Sequence, residues 1–197
     1  MRLWDRRSAV LLVVLCLLIS QSLPSTFVAG PGGAWAADTD RLDVTIEPKG
    51  GVRATAKVLF PAKPAIVQVL LTDYQHWPEL FETPMRVAEV NVHEGVATVD
   101  LRITHSVMPG EHRLVTESRA LSNGVLSTDL KAGDFKRYHR VWTLQPVGDG
   151  NQTSAGFELV VQPAFMVPDW LVAMVTRQEL ETHFRLVKQK LLEQATR

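Results

Sequence analysis

Alternating hydrophobic and polar residues predict a series of short strands from residue 41 onward. Residues 96–107 show the pattern most clearly, because mostly apolar odd positions and mostly polar even positions face opposite sides of a strand. Two turns stand out, at residues 108–110 (Met-Pro-Gly) and 122–124 (Ser-Asn-Gly). Further extended segments are predicted at residues 41–46, 52–60, 85–93, 112–121, 125–130, 135–145 and 154–162.

Three segments carry helical signals. Residues 64–71 are largely apolar and begin with a proline, which suits the first turn of a helix. Residues 73–80 predict a short second helix or turn that breaks near Pro78. A long helix is predicted from Asp169 to about residue 193, with one apolar face at helical spacing. That face comprises Ala173, Leu180, Phe184, Val187 and Leu191, whereas Glu179, Glu181, Arg185, Lys188 and Lys190 fall mostly off it.

The order of these segments predicts an α+β fold. Two short helices come after the first strand, a meander of strands follows, and one long C-terminal helix closes the chain. An antiparallel sheet of this kind buries one face, and the long helix is its only large apolar cover. We expect a curved sheet of about six or seven strands to wrap on that helix and leave space between them.

The beginning of the chain has the three parts of a secretory signal peptide. Three arginines lie within the first seven residues, residues 9–19 are an unbroken apolar run, and a small-x-small site ends at Ala36. We predict a signal peptide over residues 1–36, cleavage just before Ala37 or one residue later, and a mature domain over residues 37–197. The protein would then be exported, to the periplasm or outside the cell. The alternative is an uncleaved N-terminal anchor, for which the run is short, since a bilayer needs about 20 apolar residues.

Composition excludes several kinds of chemistry. Cys16 is the only cysteine and lies in the predicted signal peptide, so the mature domain has no disulfide and no thiolate ligand. The chain balances 21 basic against 21 acidic residues without a basic block, which argues against nucleic acid as a partner. It lacks a nucleophile elbow, a Gly-rich phosphate loop and an HExxH motif. We therefore predict no metal and no cofactor, and assign no residue as catalytic.

The chain resembles the START-like superfamily, whose fold is the helix-grip fold. Within it, the polyketide cyclase/dehydrase and coenzyme Q-binding families are the most similar. Residues 73–80 (DYQHWPEL) are similar to a D-y-x-x-w-P-e stretch of the family. The resemblance also rests on residues 54–60 with 64–71, residues 142–146, residues 157–161 and the closing helix over 168–192. It implies an internal apolar cavity for a lipid, a quinone, a polyketide or another ring-bearing ligand.

The strand over residues 135–145 carries the sharpest candidate site. Tyr138, Arg140 and Trp142 alternate on one face, and Trp142 is expected to point inward. A cavity there would let Arg140 pair with a carboxylate, phosphate or quinone oxygen while Tyr138 and Trp142 stack on the ligand. The alternative is that the face changes near the strand end and Arg140 extends to solvent.

Other candidate ligand-binding residues lie on the neighbouring elements. His105 shares the apolar face of its strand and is either a paired core histidine or a polar anchor for a ligand, together with His112. Thr116 could supply a hydroxyl group, and Phe157 and Phe184 an apolar wall.

The first turns of the long helix are apolar nearly all round. Trp170, Leu171 and Met174 lie in this stretch. Such a stretch is either core or a rim that makes transient contact with a membrane or a partner while ligand enters.

These observations leave three functions open. The first is an exported binding or carrier protein for a hydrophobic small molecule such as a lipid, an isoprenoid quinone or a polyketide-like compound. The second is a cyclase or dehydrase, in which His105, Tyr138 or Arg140 provides acid–base or oxyanion help. The third is an interaction protein whose cavity has collapsed.

Overall fold

Eight antiparallel strands form one curved, open sheet in the computed structural model, which describes residues 40–105 and 108–195. In spatial order the strands run β1-β2-β8-β7-β6-β5-β4-β3, so β1 and β3 are the free edges. The strands are β1 (Arg41–Ile46), β2 (Val52–Phe60), β3 (Met85–His93), β4 (Val96–His105), β5 (Met108–Ala120), β6 (Val125–Gly133), β7 (Phe135–Val147) and β8 (Gln152–Pro163).

Helices precede and follow the long meander of the sheet. Helix α1 (Pro64–Thr72) starts with a proline in its first turn, and Asp73 ends it by donating its backbone N–H to the Leu70 carbonyl. A 3₁₀ helix (Tyr74–Leu80) with a proline inside it comes next. Helix α2 (Asp169–Ala195) then closes the described chain.

The α+β helix-grip fold is confirmed, with eight strands in the described residues instead of six or seven. Strand β1 pairs with β2 and adds an edge strand to the sheet, so the two short helices follow the second strand and not the first. The expected turn at residues 108–110 is wrong. Strand β5 already begins at Met108, which pairs with His105, and the register shifts there because β5 holds two extra residues.

The core lies between the concave face of the sheet and helix α2. Strand register brings Trp142 beside Phe157 on that face, and their ring centroids are 4.6 Å apart. Phe184 of α2 packs on both rings, at 5.7 Å from Trp142 and 5.3 Å from Phe157. The buried side of α2 comprises Val172, Thr176, Leu180, His183, Phe184, Val187 and Leu191.

The predicted signal peptide over residues 1–36 and its cleavage site at Ala36 and Ala37 lie outside the described residues. Within residues 40–105 and 108–195, no helix combines the length and apolar character that a membrane span requires.

Candidate functional site

A cavity of about 180 Å³ lies between the N-terminal half of α2 and the concave face of the sheet. Strands β4, β5, β7 and β8 form its floor, and Trp77 and Phe81, in and just after the 3₁₀ helix, close one side. Its wall is mostly apolar. The aliphatic part of the wall is Leu101, Ile103, Leu114, Leu159, Val161, Val175 and Leu180.

The cavity shares lining residues with two neighbouring spaces. Thr83, His105 and Glu179 also line an open cleft of about 440 Å³. On the other side, Phe135 and Thr176 also line an apolar hollow of about 100 Å³. Ligand sites in proteins usually hold about 300–1,000 Å³, so the cavity alone is smaller than this range and the adjoining cleft is within it.

Arg140 projects into this cavity from the middle of β7. Its strand neighbours are Leu159 on β8 and Thr128 on β6, and all three side chains share the concave face. The side chain is 8% exposed. Its guanidinium carbon lies 4.4 Å from the centroid of the Trp77 ring, and Nη2 donates to Thr128 Oγ1 at 3.3 Å. The expectation that Arg140 faces inward therefore holds, and the alternative of a solvent-exposed arginine is wrong.

The positive charge of Arg140 has no acidic counterpart in the described part of the chain. Its Nε atom is buried without a hydrogen-bond partner, and no ion pair joins it to a described carboxylate. Tyr74 and His183, two polar residues near it, are neutral near pH 7. Burial raises the pKa of Tyr74, and it lowers the pKa of His183 to about 4. An uncompensated buried charge is costly, so this site favours a ligand that brings a negative or strongly polarised oxygen.

His183 is a buried residue that the sequence analysis did not single out. It is 2% exposed and stacks on Phe81, with ring centroids 4.3 Å apart. Its Nδ1 atom lies 2.8 Å from the Leu80 carbonyl oxygen, which fixes Nδ1 as the donor in the neutral ring. Its position three residues after Leu180 and one before Phe184 was the available signal, since it places His183 on the apolar face of α2.

His105 and Glu179 lie where the cavity opens into the cleft. His105 Nε2 is 3.7 Å from Glu179 Oε1, and the two side chains are 12% and 26% exposed. The other oxygen, Glu179 Oε2, is buried without a hydrogen-bond partner. Glu179 lies off the buried side of α2, as expected, but it is one turn from Thr176 and shares the cavity wall with it.

The remaining predicted ligand-binding residues separate into two groups. Tyr138 lines the cavity beside Phe135, as expected for its place on β7. Trp142, Phe157 and Phe184 lie in the aromatic core and do not line the cavity.

Thr116 and His112 lie on the same strand but have different surroundings. Thr116 is 1% exposed, its hydroxyl has no hydrogen-bond partner, and it lies outside the cavity wall. His112 stacks on Phe165, with ring centroids 4.3 Å apart, and its buried Nε2 has no partner. The structure therefore does not join His112 to His105 in one site.

The predicted rim lies next to the cavity. Trp170 and Met174 are exposed, at 62% and 51%, one helical turn apart on α2. Leu171 is half-buried and lines the apolar hollow, and Met174 lines the open cleft. Across the described residues, no group of three or more His, Cys, Asp or Glu side chains could hold a metal ion.

Comparison with known proteins identifies one family and several similar folds. The sequence pattern of the family described as polyketide cyclase / dehydrase and lipid transport matches residues 60–183. The STAR-related lipid transfer protein from Xanthomonas axonopodis is similar, with a TM-score of 0.63 and 14% identity over 79% of this chain and 94% of that chain. No curated protein matches the sequence.

Two other solved structures share the fold. A START superfamily protein from Mycobacterium smegmatis has a TM-score of 0.58 and 16% identity, over 72% of this chain and 97% of that chain. The Zhui aromatase/cyclase from Streptomyces sp. R1128 has a TM-score of 0.58 and 12% identity, over 81% and 97% respectively. The expected resemblance to the polyketide cyclase/dehydrase family is confirmed, and these structures share the helix-grip fold that it implies.

Proposed function

We propose that this chain, which belongs to the polyketide cyclase/dehydrase and lipid transport family, is an exported protein that binds and carries a hydrophobic small molecule. The ligand class is an amphiphile with an apolar body and an acidic or carbonyl head. Lipids, isoprenoid quinones and polyketide-like compounds all contain such molecules.

One observation carries this proposal. The guanidinium group of Arg140 is buried beside an apolar cavity and has no acidic partner among the described residues. Hydrogen bonds to charged groups are roughly twice as strong as neutral ones. A ligand carboxylate, phosphate or carbonyl oxygen at Arg140 would therefore offset the cost of burying the charge, and the apolar wall would hold the body of the ligand.

The N-terminal sequence supports export. Its basic start, apolar run and small-x-small site are typical of a secretory signal peptide. A carrier in that compartment would shelter a hydrophobic molecule from water between membranes or between a membrane and an enzyme.

The experiment is to purify the protein from its own host compartment and identify co-purified small molecules by mass spectrometry. We expect an acidic or carbonyl-bearing amphiphile with the wild type and little of it with Arg140→Met. Arg86→Met is the matched control, because Arg86 is an exposed arginine of β3 that pairs with Glu111. Equal amounts of ligand with all three proteins would contradict the role of Arg140, and no co-purified or added amphiphile binding would contradict the carrier function.

A cyclase or dehydrase reaction is the second candidate function. The His105–Glu179 pair favours it, because a histidine beside a carboxyl group at a cavity mouth could move a proton to or from a bound substrate. His105→Gln tests this idea. If the protein is an enzyme, the variant should keep binding a polyketide-like substrate but no longer convert it, whereas a carrier converts none with either protein.

A further inference from the structure

We infer that the ligand carries a second polar group, a hydroxyl, which donates to Glu179 at the mouth of the cavity. This inference rests on the proposed function, because it assumes that the cavity is the binding site. The inference narrows the proposed ligand class. Instead of any amphiphile with one polar head, the ligand is an acid that also carries a hydroxyl group at its other end.

Glu179 has a hydrogen-bond acceptor that receives no hydrogen bond from the described residues. Its Oε1 atom faces His105 Nε2 at 3.7 Å, which is beyond hydrogen-bond distance. Its Oε2 atom is buried and has no hydrogen-bond partner. A buried acceptor without a donor destabilises the free protein, so a donor on the ligand would be favourable at this position.

The two polar positions lie at different ends of the same space. Arg140 is at the inner end, where it also contacts Thr128 of β6. Glu179 is at the outer end, where the cavity meets the open cleft. Aliphatic side chains such as Leu101 and Leu114 form the wall of this cavity. A ligand would match this arrangement if its acid head bound Arg140, its apolar body lay along the aliphatic wall and its terminal hydroxyl group donated to Glu179.

Matched ligand pairs test the inference. Saturated fatty acids from hexanoic to dodecanoic acid, each beside its ω-hydroxy counterpart, are titrated into the purified protein by calorimetry. At the chain length that spans the two residues, we expect the wild type to bind the ω-hydroxy acid about tenfold more tightly than the plain acid, as one hydrogen bond to a charged group provides.

Substitution of Glu179 should remove that preference. Glu179→Met keeps an unbranched side chain without an acceptor and removes a negative charge from the cavity wall, so we expect the plain acids to bind at least as tightly as to the wild type and the ω-hydroxy acids to lose their advantage over them. Glu179→Gln is the gentler variant if Glu179→Met does not fold, and it should reduce the preference because a neutral amide oxygen is a weaker acceptor. Glu181→Met is the control, since Glu181 lines a cleft on another side of α2 and should leave the preference intact.

The outcomes separate the inference from the proposed function. Binding of plain and hydroxylated acids with equal affinity in the wild type, or an unchanged preference in both Glu179 variants, would overturn the inference and leave the carrier function standing. Absence of any binding across both series would overturn both for this ligand class.

Discussion

At the scale of single residues, Arg140 is the most unusual feature of the molecule. Moving an ion from water into a protein interior costs several kcal/mol even after relaxation. Here the side chain gains only one hydrogen bond to Thr128 and a contact with the Trp77 ring. Folding stability does not explain such an arrangement, which is why we propose that Arg140 binds an acidic or carbonyl group of the ligand.

Arg140→Met should therefore separate stability from binding. Methionine fills a similar volume without a charge, and replacing buried charged groups by hydrophobic ones is often neutral or stabilising by about 1–4 kcal/mol. We expect an unchanged or higher free energy of unfolding in urea and weaker binding of acidic amphiphiles. A free energy of unfolding lower by about 3 kcal/mol or more, the size of the loss when a buried ion pair is broken, would show instead that Arg140 stabilises the fold.

The burial of His183 leads to a prediction of how the free energy of unfolding depends on pH. Burial lowers its pKa from 6.5 to about 4, so the unfolded chain binds more protons than the folded protein between these values. His183 then contributes no pH dependence above pH 6.5 and reduces the free energy of unfolding as the pH falls from 6.5 toward 4. The loss should be about 3 kcal/mol, since one pKa unit corresponds to about 1.4 kcal/mol.

Chemical denaturation of wild type and His183→Gln between pH 7 and pH 4.5 measures this loss. The variant should show a flatter dependence on pH, although it is less stable at pH 7. His93→Gln is the control, because His93 is 85% exposed at the end of β3 and should leave the slope unchanged. Parallel pH curves for the wild type and both variants would rule out the buried neutral state of His183.

At the scale of secondary-structure elements, the two halves of helix α2 pack differently against the sheet. Its first half, from Leu171 to Leu180, lines the cavity and the apolar hollow. Its second half, including Phe184 and Val187, fills the concave face and closes the core. The same helix therefore leaves a cavity at one end and close packing at the other.

Phe184→Ala should affect stability and not ligand binding. Phe184 is 5% exposed and packs on Trp142 and Phe157, so we expect a loss of about 3–5 kcal/mol, as for other buried aromatic residues. Leu192→Ala is the control on the same helix, since Leu192 is 53% exposed and its truncation should cost less than about 0.5 kcal/mol. Urea titration measures the free energy of unfolding of both variants. If Phe184→Ala is folded but binds ligand more weakly than the wild type, Phe184 is part of the ligand site.

The exposed apolar residues at the start of α2 lead us to predict that this end of the helix contacts lipid. Trp170 and Met174 expose apolar surface, Met174 lines the open cleft next to the cavity, and tryptophan prefers the interface between membrane and water. The double variant Trp170→Ser with Met174→Ser should sediment less with phosphatidylcholine and phosphatidylglycerol vesicles and should transfer bound ligand to them more slowly. Leu192→Ser removes an exposed apolar residue near the opposite end of α2 and should change neither. Equal sedimentation of all three proteins would contradict the rim.

At the scale of the whole molecule, the prediction concerns where the chain is processed. The N-terminal pattern predicts that exported protein begins at Ala37 or one residue later. N-terminal sequencing of protein from the host compartment checks this directly. Membrane-bound protein that retains residues 1–19 would instead establish the uncleaved anchor.

Much of the fold could be predicted from local patterns. Period-two alternation located strands such as β2 and β3 at their observed bounds, and the proline of α1 marked the start of that helix. These features depend on residues close in sequence, because the backbone period alone determines which side chains share a face. For the same reason the sequence placed Arg140 and Trp142 on one strand face, while a turn of Arg140 toward solvent stayed open until the structure placed it inward.

Only the tertiary structure determined which part of the molecule packs against each strand or helix face. Tyr138, Arg140 and Trp142 alternate on one strand, yet the first two line the cavity and Trp142 lies in the core. The sequence determined their common face, but not which part of α2 covers each of them. Glu179 shows the same limit, because its place at the cavity mouth depends on how the helix is rotated against the curved sheet. That rotation is set by the packing of many distant side chains, and no local spacing specifies it.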